Sequence, residues 1–358
     1  MTSFALRSDV GQFDAPAELS DVPVPNPLPK LLDGGDLDRE ESQHLFERLV
    51  LGRLEPAEIA AMLIALRMKG ETSEELTGAA IALRHAAKPF PAPDYLFADS
   101  CGTGGDCSGS INVSTAAGLI AAACGLPVVK HGNRSFSSKC GSADVVEALG
   151  AKLDVSPPAS RQILDRTGFC FLLAPAYHPG IAHAGAVRRA LRVRTVMNLL
   201  GPCLNPARPP VQLLGVPHPD LLMPIGETLR ALGIRRALVV HGSGLDEVAV
   251  HAFTQAVRLR DGELEPIEIT PEQAGLKRYP LEEISGGTPD RNAQLLLDVL
   301  SGRGTAAQRA IVSINAGALL ETAGLADDLR DGVERASDAI SSGRARQTLE
   351  AFVEASRG

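Results

Sequence analysis

The densest chemistry in this sequence lies in Asp99-Ser-Cys-Gly-Thr-Gly-Gly-Asp106, which continues to Asn112-Val-Ser-Thr115. Gly102, Gly104 and Gly105 follow a short apolar run. Residues without a Cβ let the backbone approach a ligand and turn its N–H groups toward an anion. Ser114 and Thr115 stand where an Ala-rich helix begins, and a helix N-terminus attracts phosphate through its free N–H groups and its dipole. A tight turn and an ordinary hydroxyl cap would look the same over Gly-Thr-Gly-Gly alone. With Asn112, Ser114 and Thr115 attached, phosphate binding is the better reading.

Three further segments carry reactive side chains. In Lys130-His-Gly-Asn-Arg-Ser-Phe-Ser-Ser138, running to Gly141-Ser-Ala-Asp144, a strand ends in cationic and polar residues followed by hydroxyls. Open α/β sheets bind ligands at such strand ends. Lys130 and Arg134 suit phosphate charge there, and Asn133 and the serines offer hydrogen bonds. Ser142 and Asp144 also read as an ordinary helix start, with Ser142 as cap. His241-Gly-Ser-Gly-Leu-Asp246-Glu247 sets two acids on a glycine-rich turn, a donor set for a hard cation such as Mg²⁺ or simply a solvated pair. Last come Tyr177-His178-Pro179 and Val187-Arg-Arg-Ala-Leu-Arg-Val-Arg-Thr195. An arginine-rich helix face is usually solvated, but a part-buried guanidinium is the natural binder of a carboxylate.

These segments need elements to position them. Leu45, Leu49, Ile59, Met62, Leu63, Leu66, Leu76, Ala79, Ala80 and Leu83 fall at helical spacings, so residues 30–95 predict a small helical unit. Pro56 marks a helix start and Gly70 a helix end. Part of about 185–206 is expected to pack on this unit. From Leu96 onward, short apolar runs (Leu96–Ala98, Val128–Val129, Phe169–Leu173, Ala237–Val240) alternate with helices at about 115–124, 143–150, 158–167 and 220–232. That alternation predicts a largely parallel sheet covered by helices over 96–184 and 207–358. Val257–Glu265 predicts a hairpin turning at Asp261-Gly262, and 290–355 three closing helices. Residues 1–29, rich in proline from Pro16 to Pro29, read as a poorly ordered extension.

Composition excludes other classes. The chain has 358 residues and a formal net charge of −8, a field that repels nucleic acid and anionic membranes, so a phosphate ligand needs a locally basic pocket. The longest apolar stretch, Ala116–Val129, is broken by Gly118, Gly125 and Pro127 and is too short to span a bilayer. The start shows no basic segment leading into an apolar one. Cysteines 101, 107, 124, 140, 170 and 203 form no Cys-x-x-Cys pair, so they read as packing residues in a reducing cytoplasm.

Taken together, the four segments resemble the anthranilate phosphoribosyltransferase family over about residues 30–355. Gly-Thr-Gly-Gly-Asp, Asn-x-Ser-Thr, Lys-His-Gly-Asn-Arg, Gly-Ser-Ala-Asp and Gly-Leu-Asp-Glu all stand at matching spacing. The resemblance implies an α/β fold of the nucleoside phosphorylase and phosphoribosyltransferase type. In it, a small all-helical domain is hinged to a larger domain with a mainly parallel sheet, and a homodimer forms through the helical domain. It implies that phosphoribosyl pyrophosphate (PRPP) meets Gly102, Thr103, Gly105, Asp106, Asn112, Ser114, Thr115, Lys130, Asn133, Ser138 and Ser142, with Ser110 in place of an expected threonine. Anthranilate would meet Gly102, Asn133, His178 and Arg188. Ser114, Asp246 and Glu247 would hold Mg²⁺, two ions per site. The pattern departs from the family at His178-Pro-Gly-Ile-Ala182, where His-Pro-Ala-Met-Lys is usual, and at Leu191-Arg-Val-Arg-Thr195, where Leu-Gly-Ile-Arg-Thr is usual.

The implied reaction displaces pyrophosphate from the ribose anomeric carbon by an aromatic amine. Such an amine is nucleophilic at neutral pH without a strong base, and no general base is assigned. Three other readings fit the residues less well. A phosphorylase or phosphoribosyltransferase of the same fold with another acceptor is disfavoured by His178 and Arg188. A nucleic-acid-binding relative is disfavoured by the intact loops and negative charge. A dinucleotide-binding module is disfavoured by the lack of Gly-x-Gly-x-x-Gly after a strand.

Overall fold

The computed structural model describes residues 26–135 and 139–358. A short helix α1 (Leu28–Leu32) opens the described chain, its first two residues within the stretch 1–29 expected to be poorly ordered; residues 1–25 lie outside the described part. Three helices follow: α2 (Arg39–Val50), α3 (Pro56–Lys69) and α4 (Ser73–His85). Their ends are written in the sequence. Asp38 and Thr72 each accept the N–H three residues on, while Glu41 and Glu75 reach back to the cap N–H. Pro56 opens α3, and Gly70, at φ 89°, closes it. Gly78 lets α4 close on α2, since a Cβ there would lie 2.2 Å from the Arg39 carbonyl oxygen.

The rest alternates strands and helices: β1 (Ala98–Gly102), α5 (Val113–Ala123), β2 (Val128–Gly132), α6 (Ser142–Ala148), α7 (Pro157–Thr167), β3 (Phe169–Leu173), α8 (Ala174–Tyr177), α9 (Ala182–Leu191) and α10 (Val196–Leu200). Then come β4 (Val211–Gly215), α11 (Leu222–Ala231), β5 (Arg236–His241), β6 (Thr254–Arg260) and β7 (Glu263–Ile269). Helices α12 (Pro289–Leu300), α13 (Ala306–Ala323), α14 (Leu329–Ser341) and α15 (Arg344–Arg357) close the chain. The closing helices are four rather than the three expected, and Ser342 and the left-handed Gly343 separate the last two.

The sheet runs β3-β2-β1-β4-β5-β6-β7, parallel through β5 and antiparallel beyond. The hairpin turns at Asp261-Gly262, both at positive φ. Strand β4 was not expected. Its Val-Gln-Leu-Leu-Gly run follows two prolines and carries Gln212, which is buried and donates to the Pro202 carbonyl. It pairs with β1 from Ala98↔Val211 to Gly102↔Gly215, so strand order reverses between β1 and β4. The crevice at the carboxyl ends of strands flanking such a reversal is where open α/β sheets take ligands.

Two apolar cores cover the sheet. One joins α5 and α12–α15 to the strands; the other runs from α2–α4 through α9, α10 and α11 to the opposite sheet face. Helix α9 packs on α2 and α3, and α10 on α3 and α4. Burial of this apolar area contributes about 25 cal/mol per Å². Among the described residues, no helix is long and apolar enough to cross a membrane.

Candidate active site

The glycine loop leaves β1 at Gly102, where the Thr103 N–H donates to the Gly215 carbonyl at 2.9 Å. Gly104 and Gly105 have φ of 68° and 89°, a left-handed region costly for other residues. The Gly104 N–H donates to Asp246 Oδ2 at 2.7 Å. Asp246 lies so close to the strand ends that a Cβ on Gly102 would come within 2.2 Å of Oδ2, and one on Gly215 within 1.6 Å of the Asp246 carbonyl. Past the loop, Ser110 bridges to Ser285 and the Ile111 N–H donates to Ile284, fastening the segment to the connection before α12.

Asn112 precedes the first turn of α5. Its Oδ1 accepts from Asn292 at 2.8 Å and its amide faces the Cys140 carbonyl. The Ser114 N–H donates to Glu247 Oε1 at 3.1 Å, and its Oγ accepts from Lys130 Nζ at 3.2 Å. Thr115 is fully buried, and its hydroxyl has no hydrogen-bond partner among the described residues. Lys130, in the middle of β2, is only 2% exposed and also donates to the Ser100 carbonyl. The Asp246–Glu247 turn is itself ordered by His241, whose Nδ1 meets the Val216 carbonyl at 3.1 Å while Nε2 accepts the Gly244 N–H.

Thus Gly102, Thr103, Gly105, Asp106, Ser114, Lys130, Asp246 and Glu247, far apart in sequence, meet at the carboxyl ends of β1, β2 and β5. Burial, reinforced by the neighbouring Asp106 charge, raises the Asp246 carboxyl to about 7. Burial and the Asp246 charge push Glu247 well above the ordinary carboxylate range. Two adjacent acids held this way need a cation beside them to stay ionised. Their donors, with the Ser114 hydroxyl, are all oxygens, and leave other positions for water or phosphate, which fits Mg²⁺. Among the described residues no cluster of three or more His, Cys, Asp or Glu side chains could hold a metal alone.

Other expected residues lie at the periphery. Asn133 is exposed, with Oδ1 accepting the Arg134 N–H. Arg134 is committed to a two-pronged pair with Glu147, so it is not a free phosphate ligand. Ser142 is the first residue of α6 rather than its cap. Gly141 precedes the helix, Asp144 accepts its N–H, and the Ser142 hydroxyl turns back to the Asn133 carbonyl at 3.4 Å. Ser138 lies outside the described residues.

On the acceptor side, His178 is buried edge-on to His131, ring centres 5.2 Å apart. Burial drives His178 down to about 4, and burial with the neighbouring His178 drives His131 down to about 3. Both imidazoles are therefore neutral at pH 7. Arg188 on α9 is half-buried and Arg189 beside it exposed. Gly180, where alanine is usual in the family, allows close packing: a Cβ there would lie 2.8 Å from Val50 Cβ. Arg192 caps α9 in the left-handed region at φ 54°, where glycine is usual. Sequence reasoning gave Arg194, within the arginine-rich run, no role of its own and passed over Arg84. Arg194 Nη2 donates to the Thr103 and Gly104 carbonyls, and buried Arg84 donates to the Cys203 and Leu232 carbonyls. Contacts to main-chain carbonyls so distant in sequence leave no local signature.

Comparison with known proteins agrees with this geometry. The family described as "Glycosyl transferase family, a/b domain" matches residues 94–346, and "Glycosyl transferase family, helical bundle domain" matches 28–87. The anthranilate phosphoribosyltransferase of Sorangium cellulosum is 54% identical over 91% of this chain and 94% of its own length. That of Serratia proteamaculans is 50% identical over 92% and 99%. The crystal structure of the Thermus thermophilus enzyme superposes with a TM-score of 0.88 at 40% identity, covering 93% of this chain and all of that one. The Saccharomyces cerevisiae enzyme in complex with PRPP and Mg superposes at 0.85 with 26% identity, covering 92% and 96%. With its helical bundle, its mainly parallel sheet and these relatives along nearly its whole length, the chain belongs to the anthranilate phosphoribosyltransferase family.

Proposed function

We propose that this enzyme transfers the phosphoribosyl group of PRPP to the amine of anthranilate, releasing pyrophosphate and N-(5-phosphoribosyl)anthranilate in tryptophan biosynthesis. One observation carries the reading: a glycine loop, a buried lysine and two buried acids converge where strand order reverses. In this reading the glycine loop, Asp106, Ser114 and Lys130 receive the phosphates of PRPP, with Asn112, Asn133 and Ser142 at the margin. Asp246, Glu247 and Ser114 hold Mg²⁺, two ions per site. Bound there, Mg²⁺ offsets the charge of the departing pyrophosphate.

The chain's own groups do the rest. Lys130 and the loop N–H groups stabilise charge developing on the leaving group. Neutral His178 and the Arg188 guanidinium orient anthranilate, the latter through its carboxylate. Approach of the helical bundle excludes the water that would hydrolyse PRPP. No residue is assigned as base, since an aromatic amine attacks unaided. The reading takes the working unit as a homodimer joined through the helical bundle, which bears the exposed Leu32, Leu51 and Met68, and takes its setting as the cytoplasm.

The test is an acceptor panel. Purified enzyme, PRPP and Mg²⁺ are incubated with anthranilate, other aromatic amines and free bases, and products identified by mass. Ribosylation of anthranilate above all others supports the reading, and preference for a purine or pyrimidine overturns it.

A further inference from the structure

Arg194 lies in the arginine-rich segment that ends at Thr195, where the sequence gives it no role of its own, and it has no part in the mechanism just given. It sits between α9 and α10, two residues past the left-handed turn at Arg192. Its Nη2 donates to the Thr103 carbonyl at 3.2 Å and the Gly104 carbonyl at 2.7 Å. The guanidinium lies against Gly105 so closely that a Cβ there would fall 1.6 Å from Nη1.

In a trans peptide the C=O and the following N–H point opposite ways. Holding the Thr103 carbonyl therefore aims the Gly104 N–H away from Arg194, and that N–H is the one bound by Asp246 at 2.7 Å. Holding the Gly104 carbonyl likewise turns the Gly105 N–H outward, where it has no acceptor among the described residues. The loop is thus gripped from opposite sides. An acid on the β5 turn takes an N–H, and a cation from the α9–α10 connection takes two carbonyls. That connection is flanked by helices seated on the bundle: α9 on α2 and α3, α10 on α3 and α4.

We propose that Arg194 is a positioning residue that clasps the glycine loop from the helical bundle and aims the Gly105 N–H at the diphosphate of the donor. The inference rests on the loop's receiving PRPP, as in the reading above. Lysine at this place supplies one compact charge on a flexible stem, so it spans the two carbonyls less well.

The experiment compares wild type, Arg194→Met and Arg194→Lys by steady-state kinetics in each substrate, by calorimetric titration with PRPP and Mg²⁺, and by thermal unfolding. Losing charge-assisted bonds of this kind should raise the PRPP Michaelis constant of Arg194→Met about tenfold or more, and its dissociation constant in parallel. The anthranilate constant should stay within about threefold. Arg194→Lys should recover part of the loss, which a merely structural role does not predict. Unchanged PRPP affinity in folded Arg194→Met overturns the proposal, as does an effect confined to anthranilate. Should Arg194→Met not fold, Arg194→Lys against wild type decides by the same PRPP readouts. Should wild type leave anthranilate untouched, the functional reading fails, while PRPP affinity across the variants still decides the role of Arg194.

Discussion

Asp246 accepts the Gly104 N–H at 2.7 Å, which ties the acidic turn after β5 to the glycine loop after β1 across the reversal in strand order. One carboxylate is thereby both a fastening for the loop and, in the proposed function, a ligand to the cation that binds beside it. Burial first, and then the Asp106 charge beside Asp246 and the Asp246 charge beside Glu247, raises both carboxyls.

Replacing the acids without changing their shape separates these roles. Asp246→Asn with Glu247→Gln should lower turnover about a hundredfold or more, and high Mg²⁺ should restore part of it. The check is kcat/KM against Mg²⁺ concentration. Kinetics identical to wild type at limiting Mg²⁺ would remove both acids from the cation site.

Neighbouring arginines on α9 should behave differently. Arg188 is half-buried and Arg189 exposed, about 100° apart around the helix. Arg188→Ala removes a charged partner of the anthranilate carboxylate, an interaction of about 1.5–3 kcal/mol, so that Michaelis constant should rise about ten- to a hundredfold. The PRPP constant should barely move, and Arg189→Ala should be silent. An effect of Arg188→Ala on PRPP alone would assign it to the phosphate side.

His178 gives a pH dependence of stability. Its folded value, about 4, lies below the ordinary histidine value, so its contribution is present above the unfolded value near 6.5 and is lost as pH falls toward 4. Between about pH 7.5 and about pH 4.5, His178→Asn should therefore lose less melting temperature than wild type. Parallel losses in both proteins would mean that the imidazole charges freely in the folded chain.

Arg192 holds φ 54° at the C-terminus of α9. Glycine removes the cost of a side chain in that region, partly offset by its freer unfolded chain, so Arg192→Gly should gain about 0.5–1 kcal/mol in urea unfolding. A destabilised variant would show that the Arg192 side chain makes contacts worth more than the backbone relief.

Much of this site was legible because its residues sit next to strand ends with glycines beside them. Gly104, Lys130 and Asp246 each announce a turn or a charge where apolar runs stop. Strand β4 escaped because Pro209 and Pro210 precede it and Gln212 breaks its apolar run, though that glutamine is buried in a hydrogen bond to Pro202. The closing helices were expected to be three, and a break as brief as Ser342-Gly343, between α14 and α15, leaves little sequence signal. The role of Arg194 escaped for a different reason: its partners are carbonyls about ninety residues away in chain, and only folding brings them together.

The central claim is that the site joins anthranilate to the ribose of PRPP with the help of a cation. It is tested most directly by following anthranilate fluorescence and pyrophosphate release in the same reaction, with Mg²⁺ and then with EDTA. The account predicts that the two change one for one with Mg²⁺ and that both stop with the chelator. Pyrophosphate release that proceeds at the same rate without anthranilate, or anthranilate loss that survives chelation, would contradict it.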